Sequence, residues 1–171
     1  MIRMELMGLT QVLRHPFFEK AKRDARMREF LEELAQIGVR NATIRFSEAE
    51  YDGDNDVVVR SPVWIDENTL QIVAEGKSIL FIEFGTGVYN PVEHPRADDL
   101  GMFRGEYGYG LGKLQAWRYE GEPGTNGEVI QDGPHAGEIL THGNNANMCM
   151  YLAAEDMRDA IARTAWEVFT R

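Results

Sequence analysis

The feature that most limits how this chain can fold is a helical stripe near its C-terminal end. In "NMCMYLAAEDMRDAIARTAWEVF", Met150, Ala154, Met157, Ile161, Ala165 and Val168 recur every three or four residues, which sets them on one face of a helix over about 148–170. Asn145 or Asn147 suits the start as a cap, Glu155 and Asp156 come early, and Arg171 closes the end, as the helix dipole favours. A second amphipathic pattern covers residues 16–46. There Phe17, Ala21, Ala25, Phe30 or Leu31, Leu34, Ile37 and Ala42 recur at three- to five-residue intervals, with Gly38 as the point where a kink would fall.

Between these helices the period changes. After the acidic turn "DGDND" come two β-rich runs, "VVVRSPVWI" and "TLQIVAEG", joined by the turn-like "DEN", which reads as a hairpin. The sheet core is placed at about 55–85. Residues 86–146 are rich in Gly, Pro, Asn and aromatics and too long for an ordinary connection, so a functional loop over about 86–135 and some short, poorly patterned strands are expected there. The expected fold is a single α+β domain over 1–171: N- and C-terminal helices on a small antiparallel or mixed sheet, with a long projecting loop.

Charge narrows the function. The net charge is −10, yet residues 1–46 hold 9 Lys/Arg against 6 Asp/Glu while the rest hold 9 against 22. An acidic surface repels phosphate, which argues against tight nucleic-acid binding. The single cysteine, Cys149, stands between two methionines at the start of a helix and reads as a buried thiol. No stretch approaches the roughly 20 apolar residues that span a bilayer, and the first residues lack a signal-peptide core, so a soluble protein is expected.

Each motif for chemistry fails on a stated requirement. Asp52, Asp54 and Asp56 alternate as in a calcium loop, but Val57 and Val63 stand where Gly and a bidentate Glu are needed. "GEYGYGLGKL" has Tyr107 and Leu114 where a phosphate loop needs Gly and a hydroxyl. His15, His94, His135 and His142 lack metal-binding spacings, and no serine lies in a nucleophile elbow. No metal, no cofactor and no catalytic residue is assigned. The rival of another class is a small hydrolase using Glu83, His94 and Asp98 or Asp99, from the cluster "VEHPRADD".

The apolar run "ILFIEFGTGVYN" carries one acid, Glu83, and breaks on Gly85 and Gly87. Glu83, Phe84, Gly85, Thr86 and Gly87 read as a structural turn, in which an ionised carboxylate accepts hydrogen bonds from turn N–H groups or from Thr86. With "GEYGYGLGKLQAWRYEG" and "HGNNANMCMYLAAEDMRDAI", this segment resembles the bacteriophage neck or tail-completion proteins, which join heads to tails in long-tailed phages. The resemblance covers about residues 16–170. It departs at Asn145 and Cys149, where the family tends to have Pro.

The resemblance implies a structural virion protein, made in the host cytoplasm and carried at the neck. It implies a homo-oligomeric ring, a hexamer, that meets the tail tube or tail terminator on one side and the head-completion connector on the other. DNA would pass without specific binding, and no membrane is involved. A tail terminator capping the tube is the alternative within the same class. Tyr89, Phe103, Tyr107, Tyr109 and Trp117 are expected at interfaces, since aromatics dominate interface energetics. In such a ring several of Asp52, Asp54, Asp56, Asp98, Asp99, Glu120 and Glu122 would face the lumen and keep DNA from sticking.

Overall fold

The computed structural model describes residues 1–5, 25–87, 94–102 and 114–170. In chain order its elements are β1 (Ile2–Glu5), α1 (Ala25–Ser47), β2 (Val58–Val59), β3 (Val63–Trp64), β4 (Leu70–Glu75), α2 (Ile79–Phe84), α3 (Ala97–Leu100), β5 (Trp117–Tyr119), β6 (Glu128–Val129), β7 (Ile139–Thr141) and α4 (Cys149–Thr170). The protein is therefore of the α+β class, and both its sheets are antiparallel. The chain gathers into two units, one of Ile2–Thr43, Val59–Ala74 and Met150–Arg171, the other of Met1, Ile44–Val58 and Glu75–Cys149.

The first unit packs α1 and α4 on the sheet centred on β4. The expected hairpin is present: Val63 pairs with Gln71 and Trp64 with Leu70, and the Ile65 N–H donates to the Thr69 carbonyl at 2.9 Å. Asp66 fixes its turn by accepting the Asn68 N–H at 2.7 Å. Along β4 burial alternates, with Leu70, Ile72 and Ala74 inward, as a sheet with one covered face requires. On the other side of β4 lies β1, from Ile2 opposite Ala74 to Glu5 opposite Gln71, a pairing that the sequence pattern did not suggest.

The two helices run antiparallel within this unit, with Phe30 against Phe169 and Asn41 Nδ2 donating to Asp156 at 2.9 Å. Small residues let them approach: Ala35, Ala42 and Ala153 are fully buried, and a Cβ on Gly38 would overlap Met157. Gly38 thus serves close packing, and α1 continues through it without a break. The buried face of α4 is also rotated from the expected stripe. Met150, Met157 and Val168 lie inward, but Ala153, Ala160 and Thr164 are buried while Ala154, Ile161 and Ala165 are only half-buried. Trp64 closes an edge of the unit, its indole N–H donating to Glu32 at 3.1 Å and its ring covered by the Arg28 guanidinium at 4.3 Å.

In the second unit the stretch placed at the end of the sheet core, residues 79–84, is the helix α2 instead of a strand. A short apolar run cannot be assigned by periodicity, and here the turn before it decides. The Asp56 carboxylate accepts the Lys77 N–H at 2.8 Å, the Ser78 N–H at 3.0 Å and the Ser78 hydroxyl at 2.5 Å, which ends the extended chain and starts the helix. The remaining strands β5, β7 and β6 form a second small sheet in that order. They account for the short strands expected within 86–146, and β5 and β6 fall inside the span assigned to the projecting loop.

Candidate functional site

The turn after α2 and the segment before α4 form one buried clasp, which lies wholly in the second unit. A helix ends with carbonyls that have no partner inside it. In α2 these are met by residues 144–148: Asn144 Nδ2 donates to Phe81 O at 3.2 Å, the Asn147 N–H to Ile82 O at 2.9 Å, and the Met148 N–H to Glu83 O at 3.2 Å. Asn147 also exchanges two bonds of 2.9 Å with the Glu50 backbone, so its carboxamide ties three strands of chain together. Asn147, a candidate cap for α4, directs its carboxamide to Glu50 and Ile82 instead, and Met148 adopts a positive φ of 52°.

Thr86 and Asn144 are the centre of the clasp. The Thr86 N–H donates to Asn144 O at 2.8 Å, its hydroxyl donates to Asn144 Oδ1 at 2.7 Å, and that hydroxyl accepts the Asn144 N–H at 3.1 Å. Both residues are buried. Glycine is required where the two segments touch. A Cβ on Gly85 would come within 2.7 Å of Ala146 N, and side chains on Gly87 or Gly143 would overlap the carbonyls of His142 and Thr86. All three have positive φ.

Glu83 and His94 lie 3.2 Å apart, each almost fully buried, with the imidazole ring tilted against Phe84 at a centroid distance of 4.3 Å. The Arg96 N–H donates to His94 Nδ1 at 3.1 Å, which leaves Nε2 to carry the proton toward the Glu83 carboxylate. Both ring nitrogens therefore bind inside the fold. Of the third hydrolase candidate, Asp98 is exposed on α3, and Asp99 beside it pairs with Arg96 at 2.8 Å.

A relay runs from the clasp to the acidic turn. The Gly143 N–H donates to the Thr141 hydroxyl at 2.9 Å, this hydroxyl donates to Asp52, and Asp52 also accepts the Asn126 N–H at 2.6 Å. Asp56 is held by Ser78 and Lys77, whose hydrogen bonds lower its pKa to about 2. Tyr51, half-buried among Asp56, Tyr119, Asp52 and Asp54, has its phenol pushed up to about 12, mainly by burial. Two of the three acids of the turn thus have structural partners.

Cys149 is buried, and burial with the nearby Glu83 charge pushes its thiol up to about 12 against a weaker opposing effect of Arg45. Such a thiol is a packing group. Trp117 lies beside Gly87, where a Cβ would be 2.9 Å from its ring. Tyr89, Phe103, Tyr107 and Tyr109 lie outside the described residues. Glu120 and Glu122, like Asp98 and Asp99, are exposed. Among the described residues no three His, Cys, Asp or Glu side chains converge as a metal site, and no helix is long and apolar enough to cross a membrane.

The sequence pattern places Thr86, Gly85 and Gly87 in a turn but does not show that Asn144 locks it. The signal available was the run "GNNAN", whose short polar side chains favour bonding to backbone over helix interior. Comparison of the chain with protein-family models, with curated proteins and with solved structures finds no match in any of the three.

Proposed function

We propose that this protein is a neck or tail-completion component of a long-tailed phage or prophage, a virion subunit that forms a ring, a hexamer, at the head-tail junction. One observation carries the reading. Two stretches of the resemblance, "IEFGTG" and "HGNNANMCMYLAAEDMRDAI", meet as partners, with Thr86 bonded three times to Asn144 across 58 residues of sequence. Residues linked by a family likeness thus act together physically, clamping both ends of the chain that runs between them.

In this reading the loop touches the tail tube or tail terminator and the head-completion connector, and Trp117, next to Gly87, anchors its return. The exposed acids Asp98, Asp99, Glu120 and Glu122 suit a wall past which DNA slides. A tail terminator would use the same ring-forming subunit. The hydrolase reading has the Glu83–His94 contact in its favour, but an imidazole with both nitrogens bound internally is better suited to anchoring the 94–100 segment than to proton transfer. The test is a stop codon early in the gene of the phage or prophage that encodes the chain. Filled heads and finished tails should accumulate separately in electron micrographs. Joined particles at normal yield would sink the proposal, and uncapped, unjoined tails of irregular length would favour the terminator.

A further inference from the structure

We propose that Asn126 is a self-modifying site, at which the side-chain amide is lost and the resulting acid loosens the clasp through Asp52. Asn126 is followed by Gly127, is exposed, and sits in a bend. Among the described residues neither its carboxamide nor the Gly127 N–H has a hydrogen-bond partner, so the electrophile and the nucleophile of the reaction are both available. The Gly127 nitrogen attacks Asn126 Cγ, forming a C–N bond and expelling ammonia, and water then opens the cyclic imide at either carbonyl. The products are aspartate or isoaspartate at 126. Absence of a Cβ at 127 removes the usual steric obstacle to that attack.

Every other asparagine of the described residues precedes a residue with a side chain: Asn41, Asn55, Asn68, Asn144, Asn145 and Asn147. Asp52–Gly53 and the exposed Asp132–Gly133 share the Gly-following pattern but carry no amide to lose, and the Asp52 carboxylate is held by the Asn126 N–H and the Thr141 hydroxyl. Asn126 is singled out by chemistry and exposure together.

The consequence follows from the relay. The Asn126 N–H is donated to Asp52 Oδ1 at 2.6 Å, while Asp52 Oδ2 accepts from Thr141, which in turn accepts the Gly143 N–H. A new carboxylate at 126 places a like charge beside Asp52, and an isoaspartate adds a methylene to the backbone that makes this bond. Next to it Gly124 lies so close to the Tyr51 carbonyl that a Cβ there would overlap it, which leaves little room for the longer backbone. Asp52 then releases Thr141, and the Gly143 end of the clasp opens more often.

The experiment ages the purified full-length protein at neutral pH and growth temperature beside an Asn126→Gln variant, which keeps the amide but disfavours ring closure. Peptide mapping with isoaspartate labelling should find the amide lost at 126 well ahead of every other asparagine. Hydrogen exchange at Gly143 and Thr86 should be faster in the aged wild-type chain and unchanged in the aged variant. Retention of the amide at 126, or equal loss at all exposed asparagines, overturns the site. Full conversion with unaltered exchange at Gly143 and Thr86 overturns the coupling.

Discussion

Thr86 and Asn144 bind each other three times, at 2.7, 2.8 and 3.1 Å, although 58 residues separate them. Truncating the Asn144 side chain takes from the buried Thr86 hydroxyl its acceptor Oδ1 and from the Phe81 carbonyl the Nδ2 donor, while the backbone bonds to Thr86 remain, and losing a buried hydrogen-bond partner costs about 1–3 kcal/mol. Asn144→Ala should therefore destabilise the protein by about 3 kcal/mol in urea unfolding, while Asn145→Ala, at an exposed neighbour, should stay within about 0.5 kcal/mol. Equal effects of the two would remove the clasp from the account.

The glycines give a second contrast. Gly133 and Gly143 both have positive φ, of 91° and 99°, but a Cβ meets nothing within 4 Å at Gly133 and overlaps the Thr86 carbonyl at Gly143. Gly133→Ala should cost only the backbone term, roughly 1–2 kcal/mol. Gly143→Ala adds a clash with main chain and should exceed about 4 kcal/mol or prevent folding, as thermal melting would report.

Asp56 supplies a pH dependence whose sign is fixed. Its pKa is lowered to about 2 by the Ser78 hydroxyl and the Lys77 and Ser78 N–H groups, so its contribution is fully present above the ordinary carboxylate range near pH 4 and is lost as pH falls through about 2. Because the side chain is exposed, its worth is that of a helix-start cap, about 1 kcal/mol. Asp56→Asn should lower stability by that amount at pH 7, and wild type and variant should converge toward pH 2. A constant gap down to that pH would contradict the assignment.

Cys149, raised to about 12 chiefly by burial and then by Glu83, should resist alkylation in the native protein at mildly alkaline pH and react at once in urea. Glu83→Gln removes the second cause and should move the thiol downward. A native thiol that reacts as fast as the unfolded one would show that it is not the buried group described.

Much of the first unit was legible in the sequence because its periods are long: Met150, Met157 and Val168 recur over a helix, and Leu70, Ile72 and Ala74 alternate along a strand. The rotation of α4 was not legible, since Ala153 and Ala154 are chemically alike and only tertiary packing buries the first and leaves the second half-exposed. In the second unit the six-residue run 79–84 suits strand or helix, and Asp56, more than twenty residues earlier in the chain, tips it to helix. The Thr86–Asn144 bonds and the Glu83–His94 contact depend on tertiary approach of distant segments, which no local pattern encodes. Strands of two or three residues, such as β5 and β6, carry too few positions to show a period.

If the clasp carries the segment that makes the proposed head-tail joint, a joining assay will show it. Extracts of heads and tails made without this protein would be mixed with purified wild-type chain or with a chain lacking residues 90–112, whose clasp is first verified by protected Thr86 and Gly143 amides. The wild-type chain should restore infectious, joined particles and the folded deletion should not. Equal restoration by both chains, or none by the wild type, would contradict it.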